Sequence, residues 1–190
     1  WMIYLASKSP RRTELLQQVG VEHKIIDIEV NEKINSSNSP QENVVALSVL
    51  KCQEGVRKVI TEEMHSFPVL AADTIVVSGD KIFGKPESEP DAIAMLLKLS
   101  GKTHTVITAV TIGIINKDKA KFHTISVSSN VEFATLTEVD CIEYCKTNEP
   151  FDKAGSYGIQ GYGSAFIKKI NGSYSNIVGL PIHEVVGILK

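Results

Sequence analysis

Short apolar runs with strand character and longer segments with apolar residues three and four apart follow one another along this chain. Residues 2–6 form the first such run and predict a short buried strand. Ser9 then stands as an N-cap with Pro10 at the first helical position, and Leu15, Leu16 and Val19 mark the buried face of the helix that follows. Ile25 and Ile26 sit in a second short strand that leads into the acidic stretch 27–32. Ser39-Pro40-Gln41-Glu42 spells a capping box with proline inside it, and Val44, Leu47 and Leu50 continue it as a helix carrying Lys51. Residues 68–77 are almost unbroken in apolar character except at Asp73-Thr74, and Ser78-Gly79-Asp80 turns them into Lys81-Ile82-Phe83. That hairpin ends at Gly84-Lys85-Pro86.

Beyond it, residues 91–99 predict a helix stopped by Gly101, and 103–115 and 124–136 predict two long strands. Thr137 opens another helix, reaching about Lys146. Residues 148–163 are dense in glycine, proline and charge and too long for a plain connector. Residues 165–170, an Asn171-Gly172 turn and 174–178 predict a second hairpin before a closing helix from Pro181. This mixture predicts a mixed α/β fold, a twisted mixed sheet with flanking helices, and excludes a regular βαβ array.

At 190 residues the chain is expected to be one domain over 1–190, drawn out at most into two lobes. Hydrophobic residues make up 43% and the net charge is only −2, which argues against a protein that coats nucleic acid and leaves no polybasic patch for a membrane. A charged ligand must therefore be met by local clusters. Cys52, Cys141 and Cys145 are odd in number without zinc-type spacing, and no apolar stretch reads as a signal peptide or a membrane span. The expectation is a reduced, cytoplasmic protein.

The richest cluster is Leu5 to Leu16, where Ser7, Ser9, Arg11 and Arg12 gather at a helix start behind an apolar strand. Free backbone N–H groups, the positive end of the helix dipole and two guanidinium groups together suit a polyphosphate. An ordinary capped helix with surface arginines reads the same way when taken alone. Asp73 is ionisable inside an apolar run and needs a cation as partner, or else a satisfied structural niche. Glu32 would complete a carboxylate pair able to hold Mg²⁺ or Mn²⁺. Lys51 and Lys85 are candidate phosphate ligands, Lys85 aimed by Gly84 and Pro86 on either side. Gln160 offers an amide that can read a base edge. Gly101-Lys102-Thr103 lacks the glycine a P-loop requires five residues earlier, where Leu96 stands. The five histidines show no metal-type spacing.

Taken together and in order, Leu5-Ala6-Ser7-Lys8-Ser9-Pro10-Arg11-Arg12, Ala72-Asp73-Thr74, Gly84-Lys85-Pro86, Ser100 to His104 and Asp152 to Gly161 resemble the Maf family of nucleotide pyrophosphatases. Ile170 to Tyr174 and Val178 to Pro181 fit the same pattern. The resemblance implies a fold like that of inosine triphosphate pyrophosphatases, two lobes around a cleft, and metal-dependent cleavage of a nucleoside triphosphate to monophosphate and pyrophosphate. It places Ser9, Arg11 and Arg12 in a phosphate loop, Glu32 and Asp73 at the metal and the catalytic base, Lys51 and Lys85 on phosphates, and Thr74 and Gln160 at the base. Arg12, Thr74 and Gln160 are similar to the dTTP/UTP subgroup, whereas the 7-methyl-GTP subgroup carries a tryptophan in the Pro-Arg-Arg segment. Asn31 departs from the pattern, since many relatives place a second acid before Glu32, and Cys52 stands where alanine is usual. The resemblance also suggests a homodimer, a role in keeping modified nucleotides out of nucleic acid and a link to cell-division arrest. The alternative is a nucleotide-binding regulator of cell division that senses a triphosphate without turning it over.

Overall fold

A computed structural model describes residues 2–117 and 119–190. Strands β1 (Met2–Leu5), β2 (Glu22–Ile25), β3 (Val69–Ser78), β4 (Lys81–Phe83), β5 (Thr103–Asn116), β6 (Lys119–Phe133) and β7 (Ile167–Asn171) form one sheet. Its order is β2-β1-β3-β5-β6-β7, with β4 paired to β3. β1 runs parallel to β2 and β3, whereas β4 on β3 and β7 on β6 are antiparallel, so the sheet is mixed as the pattern predicts. The helices are α1 (Pro10–Gln18), α2 (Pro40–Thr61), α3 (Glu89–Leu99), α4 (Glu138–Cys145), α5 (Tyr174–Val178) and α6 (Ile182–Leu189).

The chain resolves into two compact units. One takes the residues up to Asp73, Thr108–Val127 and Gly179–Lys190, and the other takes Thr74–Ile107 and Ser128–Val178. In the first unit α2 is the main apolar layer. Val44, Leu47, Ser48, Lys51, Cys52, Val56 and Val59 are buried at helical spacing, and the stripe leaves out Leu50, which is exposed. The polar members of the stripe find partners: Ser48 Oγ lies 2.9 Å from Thr111 Oγ1, which lies 3.0 Å from Thr124 Oγ1. Gly55 lets the helix close on the sheet, since a Cβ there would sit 2.8 Å from Val69 Cγ1 and 3.1 Å from the Ala6 methyl. The predicted capping box is formed in full, with Ser39 Oγ accepting from the Glu42 N–H and the Glu42 carboxylate accepting from the Ser39 N–H.

The second unit buries Val76, Leu96, Leu99, Val131 and Phe133 around a trio of rings. His104 and Tyr157 both meet Phe133 edge-on, at centroid distances of 4.9 and 4.7 Å, and His104 Nε2 shares a 2.7 Å hydrogen bond with the Tyr157 hydroxyl. Two expectations fail locally. Val19 falls one residue past α1 and is exposed, because the chain breaks at Gly20, whose φ is +71°. The second hairpin is also absent: β7 pairs with β6, and Tyr174–Val178 is a short helix. Buried polar bonding decides this. Ser173 Oγ accepts from the Asn176 N–H at 3.2 Å, and Asn176 Nδ2 donates to the Val106 carbonyl and to Ser129 Oγ at 3.2 and 2.8 Å. The strand β6 begins at Lys119 and ends at Phe133, earlier than predicted at both ends, and the long loop folds into short 3₁₀ turns at Glu149–Asp152, Ala154–Ser156 and Tyr162–Phe166.

Candidate active site

The phosphate-loop candidates stand at the carboxyl end of β1, where the buried strand passes through Ala6 into the first turn of α1. Ser9 occupies the N-cap position with extended backbone, yet its side chain makes no capping bond. Ser7 acts in its place as the local organiser: its Oγ accepts from the Ser9 N–H at 3.2 Å and from Arg12 Nη1 at 3.0 Å. Arg12 Nε donates to the Gly179 carbonyl at 2.9 Å, a contact within the same unit. The arginine is thus gripped from two sides and its guanidinium plane is fixed. Burial pulls it below its ordinary value, offset by the charges of Asp73 and Glu32 and reinforced by that of Arg11, and it remains a cation throughout the working range.

Asp73 lies in the middle of β3 and is 8% exposed, so its charge needs a partner. Lys51 supplies it from the centre of α2. Its Nζ lies 2.6 Å from Asp73 Oδ1 and 3.0 Å from Glu32 Oε1. The lysine is 9% exposed, whereas Glu32 stands in the loop before α2 with much of its carboxylate in solvent. Asn43 braces that loop: its Nδ2 donates to the carbonyls of Asn35 and Ser39 at 3.0 and 3.2 Å, and its Oδ1 accepts from the Asn35 N–H at 2.8 Å. Ser9, Arg11, Arg12, Glu32, Lys51 and Asp73 all belong to this one unit.

Glu32 and Asp73 therefore converge on one cation position. Among the described residues no three acidic, histidine or cysteine side chains gather into a metal cage. A carboxylate pair of this kind fits a hard divalent ion that brings its remaining oxygens from water and a polyphosphate. Both oxygens face the Lys51 ammonium, so an ion held by the pair would sit beside that ammonium or take its place.

Thr74, Lys85 and Gln160 belong to the other unit. Thr74 follows Asp73 on β3, and its side chain leaves the opposite face of the strand. Lys85 is exposed on a turn fastened by the Gly155 N–H donating to the Gly84 carbonyl at 3.0 Å, with Pro86 buried beneath. Gln160 is exposed in the loop between Gly158 and Gly161. The space over these two glycines is filled by Glu149 and Lys153. Asn43 and the Gly179 carbonyl escaped the sequence reading. Asparagine in the second turn of a helix was its only local signal, and a backbone carbonyl has none.

A profile of the family described as "Maf-like protein" matches residues 2–190. Curated relatives include the dTTP/UTP pyrophosphatase of Ralstonia nicotianae, 42% identical with 98% of this chain and 92% of that protein covered. The dTTP/UTP pyrophosphatase of Clostridioides difficile is 44% identical over 99% and 93% of the two chains, and that of Bacillus thuringiensis subsp. konkukian 46% over 99% and 94%. Among solved structures, the Staphylococcus aureus Ham1 protein matches the fold with a TM-score of 0.53, 16% identity and coverage of 100% of this chain and 98% of that one. Since the family profile spans both units and relatives above 40% identity run nearly end to end, this chain belongs to the Maf family.

Proposed function

We propose that this protein hydrolyses dTTP and UTP to the nucleoside monophosphate and pyrophosphate. The observation that carries the reading is Lys51 Nζ, held 2.6 Å from Asp73 and 3.0 Å from Glu32 in the unit that also fixes Arg12. Three relatives above 40% identity bear that activity in their names. A regulator that only binds a triphosphate needs the basic residues and has no use for a buried acid at 73.

Arg11, Arg12, Ser9 and the N-terminal N–H groups of α1 receive phosphate oxygens, the arginine giving a bidentate, oriented grip. Asp73 takes the proton from a water that attacks the α-phosphorus, the bond to the bridging oxygen breaks, and pyrophosphate leaves with the electron pair. Lys51 offsets negative charge in both the resting and the reacting state. A divalent ion held by Glu32 and Asp73, Mg²⁺ or Mn²⁺, would neutralise triphosphate charge and acidify the attacking water. Lys85 adds a further phosphate contact, and Thr74 and Gln160 select the base.

A panel of nucleoside triphosphates with Mg²⁺ or Mn²⁺ tests this, with products separated as monophosphate plus pyrophosphate or diphosphate plus phosphate. dTTP and UTP should lead, CTP should trail because its exocyclic amine replaces an acceptor by a donor, and purines should be poorer still. A chelator should abolish turnover. Release of inorganic phosphate would overturn the pyrophosphatase reading, equal kcat/KM for ATP, GTP and UTP the pyrimidine preference, and full turnover without metal the role of the carboxylate pair.

A further inference from the structure

The loop that carries Gln160 is shaped by a single carboxylate. Glu149 Oε1 accepts from the Tyr144 hydroxyl at 2.8 Å and from the Gly163 N–H at 3.1 Å, and its Oε2 accepts from the Tyr162 N–H at 2.8 Å. The Tyr144 oxygen in turn accepts from the Gly158 N–H at 3.1 Å. Backbone amides two residues before Gln160 and two and three residues after it are therefore tied to one Tyr–Glu pair. These are charge-assisted bonds from a carboxylate, stronger than the neutral contacts that usually hold a loop. Lys153 Nζ donates to the Glu149 carbonyl at 2.7 Å and steadies the backbone from which the carboxylate projects.

Packing closes the same knot. A Cβ at Gly161 would overlap the Glu149 carboxylate, and one at Gly163 would lie 2.6 Å from the Gly158 carbonyl and 2.8 Å from the Tyr144 hydroxyl. The glycines are thus spent on letting the loop fold over Glu149. Tyr144 is 3% exposed, and burial, then the bond to Glu149, push its phenol well above the ordinary value, so it stays a donor to the carboxylate and an acceptor to Gly158.

We propose that Glu149, acting with Tyr144, is a positioning residue for base selection: by fixing the backbone on both sides of Gln160 it holds that amide, and the N–H and C=O groups beside it, in one pattern toward the pyrimidine edge. This rests on the reading of Gln160 as the base contact. Glu149→Gln is the sharpest test, since it keeps the shape but turns one acceptor into a donor that must face an N–H or the phenol. The folded variant should melt cooperatively, raise KM for UTP and lower the UTP-over-CTP ratio of kcat/KM by on the order of tenfold, with kcat for UTP within about threefold of the parent. Amide exchange at Gly158, Tyr162 and Gly163 should quicken. Gly161→Ala, which displaces the same carboxylate from the other side, should reproduce the loss of selectivity should Glu149→Gln fail to fold. In a Gln160→Ala background, Glu149→Gln should remove no further selectivity. An unchanged ratio in folded Glu149→Gln, with Gln160→Ala eroding it, overturns the positioning role alone; an unchanged ratio in Gln160→Ala overturns the reading of Gln160 and this role with it. An equal loss of kcat for every triphosphate would assign Glu149 to general stability and overturn the proposal.

Discussion

Asp73 and Lys51 divide one problem between them. An acid in the middle of β3 announces in the sequence that it needs a cation, and that need was legible at once. The identity of the cation was not, because Lys51 stands 22 positions away on another element and only the crossing of α2 over β3 brings the two within 2.6 Å. The pairing predicts different fates for two substitutions. Asp73→Asn keeps the shape and leaves Lys51 its contact with Glu32, so the fold should survive while kcat falls by on the order of 10²–10⁴. Lys51→Met strands a buried carboxylate and should cost more stability, about 3–5 kcal/mol. Urea titrations beside steady-state kinetics separate the two, and an unchanged kcat in Asp73→Asn would remove that residue from the chemistry.

Elements whose signals lie within a few residues were readable. The capping box that starts α2 at Ser39, the start of α4 at Thr137 and the turn between β3 and β4 are set by local bonds, and the structure forms each of them. α5 is the instructive failure. Asn171-Gly172 followed by Tyr174 to Val178 carries the pattern of a hairpin, yet Asn176 is fully buried and spends its amide on the Val106 carbonyl and Ser129 Oγ, more than forty positions away. Satisfying a buried amide outranks strand propensity, and no local window contains its partners. Asn176→Ala should accordingly lower the urea midpoint by an amount worth about 1–3 kcal/mol, with little change in the slope of the transition. A midpoint equal to the parent's would show that the backbone alone holds α5. The loop around Glu149 was opaque for the same reason, since its glycines signal a need for space without naming what fills it.

Two compact units share three strands: β3, β5 and β6 each begin in one unit and end in the other. The interleaving makes stability a property of the whole chain. One buried group tunes it with pH. Burial pushes His104 down to about 4, so the folded protein keeps the imidazole neutral while the unfolded chain protonates it near 6.5. The unfolded state therefore binds more protons between those values, and stability should fall as pH drops from 6.5 toward 4, by up to about 3 kcal/mol from this group. His104→Gln, which can still meet the Tyr157 hydroxyl, should flatten the slope of unfolding free energy in that window by up to about 1.4 kcal/mol per pH unit. Identical slopes in the two proteins would overturn the assignment. The bond from Arg12 to the Gly179 carbonyl has a consequence in time. It joins residues 167 positions apart, so a ribosome adding 5–20 residues per second leaves the arginine waiting roughly ten to thirty seconds for its anchor. A nascent chain can display the whole of residues 5–12 and still lack an aligned guanidinium until residue 179 has been added.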